Sequence, residues 1–183
     1  MNSDKFLNPH SSFKNLIAYR VAECIFDITY YFANKYLGRG DRTVDQMIQA
    51  ARSGKQNIAE GSAAATTSKE TEIKLTNVAK ASLQELLMDY EDYLRVRKLT
   101  QWENNDPRFI QTREVCRKHC DTEFFMSRLD SRSDETIANI AVILIKQCDF
   151  LLYRLLLRQQ KNFLEQGGIR EQMSQARRKK RGY

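Results

Sequence analysis

A chain of 183 residues, 42% hydrophobic and 29% charged, has the composition of one globular domain rather than of a disordered segment. Its 7 glycines and 2 prolines are too few to punctuate many short strands, which excludes a β-sandwich or barrel and points to long helices. The net charge of +7 is concentrated at one end: residues 167–183 hold six bases and one acid, so the body is close to neutral.

Residues 1–12 (MNSDKFLNPHSS) are polar, lack the apolar core of a secretion signal and are expected to be loose. A first helix is predicted over about 13–37, where Ile17, Val21, Cys24, Ile28 and Phe32 repeat at three- and four-residue steps. Gly38 and Gly40 stop it. Thr43, with Gln46 three residues on, reads as a capping box that opens a second helix over 43–60. The stripe of that helix, Met47, Ala51, Gly54 and Ile58, includes residues small enough to admit a close neighbour. After a connection at Gly61–Thr67, Ser68 caps a third helix over 69–97, carrying Ile73, Ala79, Leu83, Leu86, Leu87, Tyr90 and Leu94.

The fourth helix, 134–166, has one apolar seam in Ile137, Ile140, Ala141, Leu144, Cys148, Leu151 and Leu155. A second apolar set, Ile143, Phe150, Leu152, Leu156 and Leu157, predicts burial on more than one side. Lys146, Asp149 and Arg154 on this helix argue against a membrane span, no run of about 18 apolar residues occurs, and a cytoplasmic location is expected. The connection 98–133 is longer than an ordinary bundle loop of about 2–8 residues. Asp106-Pro107 starts a short helix within it, Thr122–Leu129 supplies a turn or two, and Trp102, Phe109, Phe124 and Phe125 are expected to cover one end of the molecule. The expected architecture is all-α: an antiparallel up-down four-helix bundle over 13–166 with an elaborated connection, followed by a disordered basic tail over 167–183.

Tests for chemistry come out sparse. Of the two histidines, His10 lies in the loose start and His119 in the connection, away from any paired nucleophile. Cys116, His119 and Cys120 offer three metal ligands in one stretch but no fourth. No Glu-x-x-His pair and no glycine-rich phosphate loop occurs, so no cofactor is expected. Glu85, Asp89 and Asp92 share a helix face, as Mg²⁺-binding acids would, yet the next close acid pair, Glu103 and Asp106, falls in a loop. They read as a solvated face near Arg95, and no enzyme activity is expected. Ser53, Asn57 and Glu60 adjoin the small-residue seam and are expected to fix packing by hydrogen bonding to Ser82 or Glu85. The tail bases Arg170, Arg177, Arg178, Lys179, Lys180 and Arg181 read either as a phosphate-binding arm or as a solubilising end. Only Tyr183 among aromatics accompanies them, so base stacking is unsupported.

The stretch AARSGKQNIAEGS (Ala50 to Ser62), followed by LTNVAKASLQELLMDYEDYL (Leu75 to Leu94), resembles the bacterial four-helix-bundle family of proteins encoded in intervening sequences of 23S ribosomal RNA. The likeness centres on Asn57-Ile58-Ala59-Glu60-Gly61 with Ala79, Ser82 and Glu85, and extends from about Phe13 through the fourth helix. That family includes the nucleic-acid-binding accessory protein of diversity-generating retroelements. The resemblance implies a short antiparallel bundle, a ring-like pentamer, a structural role for Asn57, Glu60, Gly61, Ser82 and Glu85, and no enzymatic role. The long connection and the basic tail depart from the plain pattern and place the chain nearer the longer branch, the four-helix-bundle suffix domain. The resulting expectation is a non-enzymatic homo-oligomer that binds RNA, or else DNA, through its tail, self-associating through the extra apolar face of the fourth helix. The alternatives are a protein-interaction scaffold without a nucleic-acid role and, last, a metal-dependent nucleotide hydrolase using Glu85, Asp89 and Asp92.

Overall fold

The periodic segments all become helix. The computed structural model describes residues 12–181; residues 1–11, which include His10, and Gly182 and Tyr183 lie outside the described residues. After a 3-10 turn at Phe13–Asn15 come α1 (Ile17–Tyr36), α2 (Arg42–Ala64), α3 (Lys69–Val96), α4 (Pro107–Lys118), α5 (Thr122–Met126), α6 (Asp134–Gln166) and α7 (Ile169–Arg181). The described residues contain no strand, so the chain is all-α over that range.

Capping chemistry sets the starts. Ser68, Asp106 and Ser133 accept from the backbone N–H of Thr71, Arg108 and Thr136, and Pro107 takes the first position of α4. Helix α2 differs from the expected capping box. Asp41 is the cap, accepting from Thr43 N at 2.9 Å, so the helix opens at Arg42. A carboxylate suits the positive end of a helix dipole, and the Thr43 N–H lowers the Asp41 pKa in turn. Helix α1 begins only at Ile17, because residues 13–15 are wound into the tighter turn. Helix α2 continues past Glu60 to Ala64, since Gly61 is buried inside it and Ala63-Ala64 favour helix.

The long helices pack in a closed cycle: α1 on α2, α2 on α3, α3 on α6 and α6 on α1. Cross-contacts show opposed chain directions. Between α3 and α6, Tyr93 OH donates to Asp134 at 2.8 Å, Lys80 and Gln84 converge on Asp149, and Gln159 Nε2 donates to Thr76 Oγ1 at 3.0 Å and Glu72 Oε1 at 3.1 Å. Between α1 and α6, Ala18 carbonyl accepts from Cys148 Sγ at 3.5 Å, while Tyr36 OH donates to Arg132 carbonyl at 3.3 Å. Ile25, Ile28 and Phe32 of α1 are fully buried, as are Met47 and Ala51 of α2, Leu83 and Leu86 of α3 and Ile137, Leu144 and Cys148 of α6. Within this core Tyr90 OH donates to Thr29 Oγ1 at 3.1 Å, so each polar group supplies the partner that burial demands.

The connection does not cap an end. It leaves α3 near the start of α6, where the buried Asn139 accepts from Trp102 N at 2.8 Å and donates to the carbonyls of Thr100 and Glu135, both at 2.8 Å. Helix α4 then descends beside α6 until Gln147 Nε2 donates to Cys116 carbonyl at 3.1 Å. Helix α5 crosses to α1, with Thr122 beside Cys24, and the chain returns to bond Asp130 with Tyr31 OH at 2.7 Å. Trp102, Phe109 and Phe125 are buried under this lateral cover, and Phe124 is half-buried. The cover explains α6. Every residue from Ile137 to Ile145 is buried, whereas beyond Gln147 the outer side is open and Phe150 and Leu157 of the second apolar set are exposed.

Gly54 marks a close approach of α2 and α3. A Cβ there would lie 2.8 Å from both Cγ and Cδ2 of the buried Leu83, too close without displacement. Gly54→Val is expected to destabilise the chain by about 2 kcal/mol or more through overpacking. In urea unfolding, Gly54→Val combined with Leu83→Ala should cost less than the two separate losses together, since the deletion vacates the space the valine needs.

Candidate nucleic-acid interface

Residues 169–181 form helix α7 rather than the disordered tail expected. Arg, Lys, Gln, Met and Ala all favour helix, and that propensity outweighs repulsion between neighbouring charges on an exposed element. The break that precedes it is local. Gly167 has φ +68, and a Cβ at this position would lie 2.2 Å from Glu171 Oε2. Gly168 N donates to that same oxygen at 2.7 Å, so Glu171 is turned back to the helix start. A Cβ on Gly168 would come 2.9 Å from Glu70 Oε1, which places the joint against the beginning of α3.

Arg170, Arg177, Arg178, Lys180 and Arg181 are all exposed; Lys179 lies in the same helix, with its side chain outside the described ones. At 100° per residue, Arg170, Arg177 and Arg181 fall within about 40° of one another, a stripe about 16 Å long. Arg178 flanks it. Glu171, the one acid of this helix, is held at its first turn. The arrangement presents guanidinium groups along a line, as phosphate recognition needs.

A second basic surface lies on α6. Phe150, Arg154, Leu157, Lys161 and Leu164 follow one another at alternating four- and three-residue steps on its outer side. Phe150 is 58% exposed, Leu157 47% and Leu164 83%, with Tyr153 (51%) and Arg158 alongside. The one nearby acid, Glu165, pairs with Lys161 at 3.7 Å. Helix α3 carries the opposite pattern: Val78, Ala81, Glu85, Met88 and Asp92 are exposed at three- and four-residue steps. The exposed α6 face shows in the sequence as surplus hydrophobicity, whereas on the α3 face Val78, Ala81 and Met88 are too few and too scattered among charges to stand out.

The positions that carry the family likeness divide. Ser53 Oγ and Ser82 Oγ are 2.8 Å apart across α2 and α3, while Asn57 Nδ2 donates to the Ser53 carbonyl at 2.9 Å and its hydroxyl at 3.2 Å. A Cβ on Gly61 would lie 3.4 Å from Glu72 carbonyl oxygen and Leu75 Cβ. Asn57, Gly61 and Ser82 thus serve the α2–α3 contact. Glu60 and Glu85 are exposed, Glu85 beside a shallow groove with Asp45 and Gln49.

Among the described residues no group of three or more His, Cys, Asp or Glu side chains is placed to hold a metal ion. His119 lies flat on Phe124 at 3.6 Å, and burial pushes the Cys24 and Cys116 thiols up to about 12. Asp92 pairs with Arg95 at 2.7 Å. Burial, then the charges of Glu85 and Asp92, raises the Asp89 carboxyl above its ordinary pKa. No helix among the described residues is long and apolar enough to cross a membrane.

The Asp89 shift has a sign that can be checked. A carboxyl held above its unfolded value opposes folding as it ionises, increasingly so until the pH exceeds its folded value. Asp89→Asn is therefore expected to raise the urea midpoint at neutral pH. The gain should shrink as the pH falls through about 4, where the unfolded chain also takes up the proton.

No family model matches the chain, and neither the curated proteins nor the solved structures contain a match to it.

Proposed function

We propose that this chain is a non-enzymatic, self-associating helical protein that binds nucleic acid, single-stranded RNA foremost, through the phosphates. The observation that carries the proposal is the exposed, acid-free line of Arg170, Arg177 and Arg181 on α7, with Arg178 beside it. Such a line supports backbone binding without sequence readout, because no aromatic side chain is interleaved for stacking. The α2–α3 seam of Ser53, Asn57, Gly61 and Ser82 supports reading the cycle of long helices as a four-helix bundle of the ribosomal intervening-sequence family, with the lateral connection as the mark of its longer branch.

If about four phosphates are contacted, the logarithm of the RNA association constant should fall with the logarithm of salt at a slope near −3, from about −0.7 per contact. Replacing Arg170, Arg177, Arg178 and Arg181 by serine in the full chain should flatten that dependence. Equal and negligible binding by both chains overturns the nucleic-acid reading and leaves a protein-interaction scaffold in front.

Self-association rests on the two exposed stripes. The α6 face carries bases between its apolar residues, so two copies of it repel. The α3 face carries Glu85 and Asp92 in the corresponding places, so α6 of one copy on α3 of the next satisfies both charge and burial. Such a head-to-tail contact closes into a ring when its rotation permits, and the family likeness makes five the copy number to expect. By sedimentation velocity, Leu157→Glu and Met88→Glu should each be monomeric, and their mixture should form only dimers, since one intact pair of faces remains. Persistent larger assemblies of Met88→Glu would point instead to α6 pairing with itself.

A further inference from the structure

The lateral connection also encloses a cleft. Between α4, which lies along the first half of α6, and α5 with the turn that follows it, an opening of about 310 Å³ remains. Its floor is apolar, formed by the buried Phe125, Leu129 and Ile140, and Phe124 stands as one wall. Phe124 is clamped: His119 stacks on the ring at 3.6 Å and 4°, and the Arg128 guanidinium sits 4.0 Å from its centroid. Two groups at those distances cannot share one ring face, so they hold it from opposite sides. Thr112 of α4 lies on the rim.

No acidic residue lines this cleft, whereas Arg128 and Arg132 both do. Neither arginine makes an ion pair among the described residues, although both are exposed. Two acids close in sequence are engaged elsewhere: Asp130 with Tyr31 and Lys35, and Glu135 with Arg108 and the Thr100 N–H. Arg128 Nη1 donates to Phe124 carbonyl at 2.6 Å and Ser127 Oγ at 3.0 Å, which anchors its guanidinium at the opening. Arg132 lines the same opening as Thr112 and Val115 of α4.

We propose that the cleft binds a small amphipathic carboxylate, its apolar body on Phe125, Leu129 and Ile140 and its charged end between Arg128 and Arg132. The opening stands at the lower end of the range of about 300–1,000 Å³ typical of small-molecule sites, which suits a short chain or a single ring rather than a long lipid. The apolar floor gives an inorganic anion nothing to bury, and a neutral hydrocarbon leaves the two cations without a partner. The proposal is independent of the nucleic-acid reading and concerns the opposite part of the chain from α7.

Isothermal titration of the full chain with octanoate, octanol and inorganic phosphate tests it. Octanoate is expected to bind once per chain, and octanol about tenfold or more weaker, from the loss of charge-assisted hydrogen bonds. Arg128→Gln with Arg132→Gln should bring octanoate down to the level of octanol and leave octanol itself unchanged. Thr112→Trp, which keeps both arginines and fills the opening from α4, should block both ligands, with helical melting curves confirming that each variant is folded. Equal binding of octanoate and octanol by the parent chain overturns the proposal. So does phosphate binding as tight as octanoate, octanoate binding unchanged in either variant, or no octanoate binding at millimolar concentration.

Discussion

Helix α6 imposes the constraint on which the rest of the structure depends. Its stretch from Ile137 to Ile145 is buried around the whole circumference, and no single neighbour covers more than one side of a helix. Helices α1 and α3 take the inner faces. The outer face is left to residues 98–133, which explains why so long a connection lies along the flank instead of passing directly from α3 to α6. Asn139 ties the arrangement together, since this one buried side chain meets three backbone groups and fixes where the connection sets out. A shorter link would expose the very residues that make α6 the centre of the fold.

Charge is segregated with similar economy. Acids meet bases, amides or hydroxyls where helices touch, as at Asp149 with Lys80 and Gln84, or Asp134 with Tyr93. Away from these joints the two signs keep to separate surfaces: Glu85 and Asp92 along outer α3, Arg154, Arg158 and Lys161 along outer α6, and the arginines of α7. The near-neutral body therefore hides two faces of opposite sign, and net charge alone conceals what the geometry separates.

Much of this was legible in advance, for identifiable reasons. Long apolar periodicities at Ile17–Phe32 and Ile137–Leu155 leave little choice of structure, and Gly54 declared itself as an expensive residue in a helix interior. The start of α2 differs from the capping-box expectation because Thr43 and Asp41 are both capable caps, and only the local geometry chooses between them. The expectation that Trp102, Phe109, Phe124 and Phe125 cover one end fails for a different reason: their hydrophobicity requires cover but carries no direction. The same applies to the cleft, whose arginines and apolar floor come from α5, α6 and the turn between them. In the tail, charge points to disorder while the helix-forming character of Gln, Met, Ala, Arg and Lys points to helix, and the helix prevails. Periodicity reports the inside of a helix well; it does not say how far along that helix a neighbour extends.

That unequal extent grades the stability of α6 from one end to the other. Backbone amides between Ile137 and Ile145 are enclosed on every side, so exposing them requires the connection, α1 and α3 to part together, and their opening approaches global unfolding. Past Gln147 one flank meets solvent, and beyond Gly167 a two-glycine joint separates α7 from the packed body. Local openings thus become easier toward the C-terminal end, where the basic helix is attached. The chain can therefore let α7 adjust to whatever it meets at little cost to its core.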